Sequence, residues 1–179
     1  MTYAESDERL GELILFICQK SVDDEHFGAV KLNKILFYSD FFAYARWAET
    51  ITGADYWHLD EGPAPRRLVQ VRKKLIKSEA LAIQQVDLPL GFVQHRPIHL
   101  RRPNLSLFSY DQIALTEEVI AENRNLTATQ IANKSHLEWG WRLTRDKEKI
   151  ELNTIFLSPD PLTDIEQKRA LAMLEASAA

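Results

Sequence analysis

Residues 29–68 read AVKLNKILFYSDFFAYARWAETITGADYWHLDEGPAPRRL, and this stretch decides the fold. Residues 29–48 carry apolar side chains around more than one face of a helix, which is typical of a helix at the centre of a domain. Residues 54–59 alternate loosely in polarity and predict one short strand. The segment Gly62-Pro63-Ala64-Pro65 predicts a turn that leads into a helix over residues 65–78, because proline suits the first turn of a helix.

One helix is predicted before this stretch and a hairpin after it. Apolar side chains recur with helical spacing over residues 7–20, and either Ser6 or Asp7 can cap the first turn of that helix. Residues 82–88 and 92–100 are rich in β-branched side chains on either side of a Pro-Leu-Gly turn. They predict two antiparallel strands.

The last third of the chain is predicted to be mostly helical. Two capping-box patterns predict helices over residues 110–124 and 128–136, because each pairs a hydroxyl with a glutamine three residues later. Residues 149–157 alternate in polarity and predict a strand, and residues 162–176 predict an amphipathic helix. The capping boxes are Ser109 with Gln112 and Thr127 with Gln130.

These patterns predict one α+β domain over residues 1–179. The domain is predominantly helical, with the helices arranged around a small antiparallel β-sheet. The strand and helix of residues 149–176 are expected to pack on the rest. Two short helices across a tight turn, over residues 110–136, also occur in helix-turn-helix proteins. A winged-helix-like portion, made of these helices and the hairpin, is therefore an open alternative.

The composition is that of a globular protein outside the membrane. The chain has 179 residues, of which 45% are hydrophobic and 27% are charged. It contains no apolar run long enough to cross a membrane, and its first residues are acidic where a signal peptide would be basic. The lone cysteine, Cys18, lies in an apolar run and is expected to be buried and inert. We therefore expect a reducing, cytoplasmic location and no contact with a membrane.

The net charge of −4 conceals a basic middle between acidic ends. Residues 1–28 carry two basic and seven acidic side chains, and residues 103–179 carry eight and twelve. Residues 60–102 carry nine basic and only four acidic side chains. Since the whole chain is acidic, this pattern favours internal charge pairing or a protein partner over nucleic acid, which is an unlikely partner.

Three short motifs resemble those of a known family. Residues 31–38 form a helix motif that begins Lys-Leu-Asn-Lys, residues 61–64 form a Gly-Pro turn, and a Ser-His pair comes later, followed by a tryptophan. In this order and spacing, over about residues 7–145, the chain resembles the Panacea domain, the SocA-like antitoxin family. The last motif comprises Ser135, His136 and Trp141.

The resemblance implies a function that composition and periodicity do not. It implies a bacterial or prophage-encoded antitoxin of a toxin-antitoxin system, which binds and neutralises a cognate toxin protein encoded beside it. In one branch of the family the antitoxin is a proteolytic adaptor that delivers its toxin to an ATP-dependent protease. We therefore expect a non-enzymatic protein whose function is protein-protein interaction.

Seven residues are candidates for partner binding. Cations crowd the predicted helix over residues 65–78, which is most often a solvated face but also suits a partner's carboxylates or a phosphate backbone. Two lysines three residues apart in the central helix share a face that can reach solvent. Two tryptophans near residue 140 can serve in the core or as interface anchors. The candidates are Lys31, Lys34, Arg66, Arg67, Arg72, Trp139 and Trp141.

No pattern in the sequence points to catalysis, a cofactor or a metal. The chain lacks the zinc-protease, paired-cysteine, nucleophile-elbow and phosphate-loop motifs. His95 and His99 are too far apart in a strand to chelate one ion easily. The remaining alternative function is a winged-helix repressor that binds the DNA of its own operon, with salt-sensitive binding.

Overall fold

The structure is a computed structural model that describes residues 1–157 and Lys168. Short strands are interspersed among its helices, and helices predominate, as the sequence predicts. The α-helices are α1 (Tyr3–Lys20), α2 (Ala29–Trp47), α3 (Leu68–Lys77), α4 (Tyr110–Asn123), α5 (Ala128–His136) and α6 (Trp139–Arg142). The strands are β1 (Tyr56–Trp57), β2 (Ala64–Pro65), β3 (Leu81–Asp87), β4 (Val93–His99) and β5 (Lys149–Ile150).

Helix α2 is the centre of the domain. It packs against helices α1, α4 and α5 and against strand β2. Its aromatic side chains Phe37, Tyr38 and Phe41 are almost completely buried. The ring centroids of Phe37 and Phe41 lie 4.1 Å apart. The prediction of a central helix with apolar side chains on more than one face is therefore confirmed, because neighbouring elements cover most of α2. Only its last residues, 45–47, are exposed.

The strands form two small antiparallel sheets. In the first, β1 lies between β2 and β5, with Tyr56 opposite both Pro65 and Ile150. In the second, β3 and β4 pair from Leu81 opposite His99 to Asp87 opposite Val93, which confirms the predicted hairpin.

Helix α1 begins earlier than the sequence predicts. Thr2 is its N-cap, and Thr2 and Glu5 complete a capping box in place of the expected cap at Ser6 or Asp7. The prediction was wrong because the apolar stripe begins at Leu10, about two turns after the helix does. The side chain of Asp7, not needed as a cap, is buried and contacts α3.

Three other boundaries also differ. Helix α3 begins at Leu68, because Pro65 belongs to strand β2 and pairs with β1. The strand predicted over residues 149–157 is confined to Lys149–Ile150 and is followed by a 3₁₀ helix, Leu152–Phe156. The amphipathic helix predicted over residues 162–176 lies outside the described residues. Helices α4 and α5 match their predictions, and both of their capping boxes are formed.

The hairpin packs chiefly against α1, whereas α4 and α5 pack against α2. Arg96 in β4 fixes this arrangement, since its guanidinium donates to the carbonyl oxygens of Ser21, Val22 and Asp24 at the end of α1. A winged helix needs its hairpin beside its recognition helix. The observed packing therefore does not favour the winged-helix alternative.

Within the part of the chain that the structure describes, none of the helices is long and apolar enough to span a membrane.

Candidate partner-binding site

The three motifs noted in the sequence meet at one place inside the domain. The Nζ of Lys34 in α2 donates a hydrogen bond of 3.0 Å to the carbonyl oxygen of Pro63. Gly62 has φ +92, a conformation that favours glycine, and a Cβ there would overlap Ser135 Oγ and lie 2.9 Å from Lys34 Nζ. The Gly-Pro turn therefore fits between α2 and α5 only because residue 62 has no side chain.

Trp141 completes this cluster from α6. Its indole ring stacks between two imidazoles, with centroids 4.3 Å from His58 and 4.0 Å from His136. Its Nε1 donates to the carbonyl oxygen of Leu59 at 3.2 Å. The Nδ1 of His58 lies 3.0 Å from the carbonyl oxygen of Trp141. The tryptophan thus joins α5 and α6 to the loop after β1.

Burial strongly perturbs the charged groups of this cluster. Lys34 has no exposed surface, and desolvation lowers the pKa of its ammonium to about 7, against a smaller opposing effect from Glu61. Burial, followed by the nearby charge of Lys34, lowers the pKa of His136. The Nε2 of His136 is buried and has no hydrogen-bond partner among the described residues. The cluster is therefore held together by packing and a few hydrogen bonds rather than by ion pairs.

Lys31 is also internal. Its Nζ lies 2.6 Å from a carboxylate oxygen of Asp24, and it donates to the carbonyl oxygens of Arg124 and Leu126 at 2.7 and 2.8 Å. The prediction that Lys31 and Lys34 reach solvent is therefore wrong, since neither has any exposed surface. They do project from neighbouring positions on α2, but α4, α5 and the Gly-Pro turn cover that face.

Of the three candidate arginines near α3, Arg67 is paired within the domain and Arg72 is only partly exposed. Arg67 forms a two-point hydrogen bond with the carboxylate of Asp7, at 2.6 and 2.8 Å, and Lys74 reaches the same carboxylate at 2.8 Å. The hydrogen bond from Arg67 is the main cause that lowers the pKa of Asp7 to about 2. Arg72 is half-buried near Cys18, and burial lowers the pKa of its guanidinium.

Arg66 alone of these arginines is exposed. Its guanidinium carbon lies 4.8 Å from the centroid of the Trp57 ring, a cation–π geometry that restrains the side chain. Arg66 is therefore an exposed and restrained cation two residues before α3.

The two candidate tryptophans do not share a face, because they lie in the short helix α6 rather than in a strand. Trp139 is half-exposed, and the Arg142 guanidinium lies 4.4 Å from its ring centroid. Leu137 and Leu143, on either side of α6, are 73% and 62% exposed. Both tryptophans are partly buried, but Trp141 packs against the hydrophobic core, whereas Trp139 is not among the described residues that do so.

Much of the charge asymmetry is resolved inside the domain. Besides the pairs made by Asp7, the Arg101 Nη1 lies 2.9 Å from the carboxylate of Glu12. Acidic residues of α1 therefore form ion pairs with basic residues from the middle of the chain. Internal charge pairing is one of the two outcomes that the sequence favoured. The prediction that Cys18 is buried is confirmed, and burial raises the pKa of its thiol to about 12.

The sequence analysis overlooked one buried polar group, Asp40 in α2. Its carboxylate accepts hydrogen bonds from the backbone and hydroxyl of Thr52 and, at 2.8 Å, from the hydroxyl of Tyr56. Burial raises the pKa of Asp40. An aspartate within an apolar helical run was the available signal, because a buried carboxylate needs such partners.

Asp55 and His58, two titratable residues on either side of β1, both have partners within the domain. Asp55 lies 3.3 Å from the ammonium of Lys149, and the imidazole of His58 is bound to Trp141 and Thr144. Among residues 1–157 and Lys168, no group of three or more His, Cys, Asp or Glu side chains is placed to hold a metal ion.

Comparison with known proteins identifies one family. The family model described as "Antitoxin SocA-like, Panacea domain" matches residues 32–142, more than half of the chain. The matched segment includes the Gly-Pro turn and the Ser-His and tryptophan positions that meet at Lys34. No curated protein and no solved structure matches the chain significantly.

Proposed function

The chain belongs to the SocA-like antitoxin family that carries the Panacea domain, and we propose that it binds and neutralises a cognate toxin protein. Family membership is the observation that supports this function. Neutralisation would follow from occlusion, in which a preformed surface of the antitoxin covers the active region of the toxin. Delivery of the toxin to an ATP-dependent protease is the second form of the same proposal.

The geometry suggests how such a surface is held. The motif cluster around Lys34 is buried and joins α2, the Gly-Pro turn, α5 and α6. In this proposal, the cluster holds the surface residues that contact the toxin in a fixed position. Arg66 and Trp139 are the candidates for direct contact, because both are accessible and each takes part in a cation–π pair. Arginine and tryptophan are frequent anchors of protein interfaces.

The other candidate residues take supporting roles in this proposal. Lys31 and Lys34 act from the interior, Trp141 acts from the partly buried cluster, and Arg67 ties the start of α3 to α1. Arg72 is half-buried on α3. The protein would act as a cytoplasmic, non-enzymatic binding partner. The DNA-binding repressor is less favoured, because the hairpin packs on α1 while α4 and α5 pack on α2.

Growth rescue tests the proposal. The protein encoded by the gene next to this one is expressed from an inducible promoter in a heterologous bacterium, alone or together with this chain. We expect arrested growth without the chain and at least a hundredfold recovery of colonies with it. A neighbouring product that is harmless alone, or a toxicity that the chain does not relieve, would overturn the proposal.

A matched pair of variants makes the test specific. Arg66→Glu should reduce rescue because it reverses an exposed cation. Arg124→Glu reverses an exposed cation at the end of α4, which packs against α2 and α1, and should leave rescue unchanged. Equal expression of both variants, measured by immunoblot, separates loss of binding from loss of the protein.

A further inference from the structure

One face of α3 combines exposed apolar and basic side chains. Val69, Lys73 and Ile76 follow one another at helical spacing and so form a single line along the outside of the helix. The two aliphatic side chains are 61% and 44% exposed. Arg66 precedes this line and Lys77 follows it, and both are exposed. We call these five residues the α3 stripe.

The basic charge of the stripe has no counterpart in the described part of the chain. Other cations of the basic middle are occupied: Arg67 and Lys74 bind Asp7, and Arg101 binds Glu12. Within residues 1–157, no ion pair involves Arg66, Lys73 or Lys77. These three cations lie in the α3 stripe with two exposed aliphatic side chains. The other cations of residues 60–102 without an ion pair in the described part of the chain lie elsewhere: Arg72 is half-buried, Arg96 binds backbone carbonyl oxygens, and Arg102 follows the hairpin.

We propose that the α3 stripe is the toxin contact and that it recognises an apolar segment of the toxin flanked by carboxylates. An aliphatic or aromatic side chain of that segment would lie between Val69 and Ile76. Carboxylates at the two ends of that segment would meet Arg66 and Lys77, and a carboxylate beside its apolar side chain would meet Lys73. This inference rests on the proposed antitoxin function and assigns both its surface and the chemistry of its partner.

The contact has an anchor that is already positioned. The Trp57 ring holds the Arg66 guanidinium at 4.8 Å, so this arginine loses less rotational freedom on binding than an unsupported one. A guanidinium also pairs with a carboxylate through two parallel hydrogen bonds, which fixes orientation. Helix α3 spans only about 15 Å, so the stripe supplies the centre of an interface rather than all of it.

A nucleic acid would be less complementary to the α3 stripe than an acidic, partly apolar protein segment. A phosphate backbone would bind the cations but would leave Val69 and Ile76 without an apolar partner. The chain also carries a net charge of −4, which repels a polyanion at long range. An acidic, partly apolar protein segment satisfies both kinds of side chain in the stripe.

Binding measurements with the whole chain test this proposal. The probe is the protein encoded by the neighbouring gene, made by cell-free synthesis and titrated against the immobilised chain. We expect the double variant Val69→Ser with Ile76→Ser, and separately Lys73→Glu, to weaken binding at least tenfold. The controls are Val22→Ser, which alters another exposed valine, and Lys147→Glu. They should stay within threefold of the wild type, and circular dichroism should show every variant folded.

Failure of the surface and failure of the function are distinguishable. If the wild type binds and rescues growth but the stripe variants bind equally well, the α3 stripe is not the contact. If the stripe variants lose only binding to a DNA duplex included as a second probe, the stripe is a nucleic-acid surface and the proposal is overturned. If the wild type neither binds nor rescues, the antitoxin function falls and this inference falls with it.

Discussion

At the scale of single residues, Gly62 shows how closely the motif cluster is packed. Gly62→Ala should destabilise the protein, because it forces a side chain into a left-handed backbone and against Ser135 and Lys34. Gly91→Ala is the matched control, since Gly91 has φ +78 but no atom within 4 Å of the position that a methyl group would take. We expect the change at Gly62 to cost about 1–3 kcal/mol more than the change at Gly91.

Urea unfolding of the two glycine variants measures this difference. Equal losses of stability would mean that only backbone strain matters and that the turn is not tightly packed against α5.

Lys34 makes stability depend on pH. The pKa of its ammonium is about 7 in the folded protein and near its usual 10.5 in the unfolded chain, so unfolding takes up a proton between these values. Raising the pH from 7 to 9 should therefore stabilise the folded state, by at most about 1.4 kcal/mol per pH unit from this group. The window ends at 9, where the buried thiol of Cys18 begins to act in the opposite direction.

The variant Lys34→Met isolates this contribution. Denaturant unfolding at pH 7, 8 and 9 should show a rise in wild-type stability that the variant lacks. Parallel pH profiles for the two proteins would show that Lys34 keeps its proton in the folded state.

Sequence reasoning identified the residues of the cluster but misjudged some of their environments. Lys31 and Lys34 share a face of α2, as their spacing predicts, yet both are buried. Spacing reveals which residues are neighbours on a helix, whereas burial depends on which other elements pack there. A lysine in an almost uniformly apolar helix was the one available hint of an internal role.

At the scale of elements, Lys31 holds the turn between α4 and α5 against α2. Lys31→Met would leave the buried carboxylate of Asp24 without its cation and two carbonyl oxygens without their donor. We expect a loss of about 3–5 kcal/mol in the free energy of unfolding.

The control for this prediction is Lys20→Met. Lys20 forms an ion pair with Glu117 in which both side chains are 46% exposed, so its loss should cost about 1 kcal/mol or less. Equal and small effects of the two variants in urea unfolding would contradict an internal role for Lys31.

Elements with strong local signals were predicted closely, and those that depend on distant partners were not. The capping boxes placed α4 and α5 almost to the residue. Strand β1 is only two residues long, because its length is set by pairing with β2 and β5, which are distant in sequence. Pro65 likewise belongs to a strand because β1 lies beside it, a contact that local sequence does not reveal.

At the scale of the whole molecule, charge links the fold to the proposed function. The acidic α1 neutralises part of the basic middle of the chain, and three of the cations that remain, Arg66, Lys73 and Lys77, lie on the α3 stripe. The bulk asymmetry was visible in the sequence, but its division into paired and exposed cations required the packing of α1 on α3. The family resemblance was also visible in the sequence, and the family match confirms it.

The most direct test of the central claim is a pull-down of the tagged chain from its native host, with mass spectrometry of the proteins that accompany it. The antitoxin account predicts a stoichiometric protein encoded by the neighbouring gene, toxic when expressed alone and harmless in the presence of this chain. Recovery of DNA alone, removed by a salt wash, would contradict that account and favour a repressor.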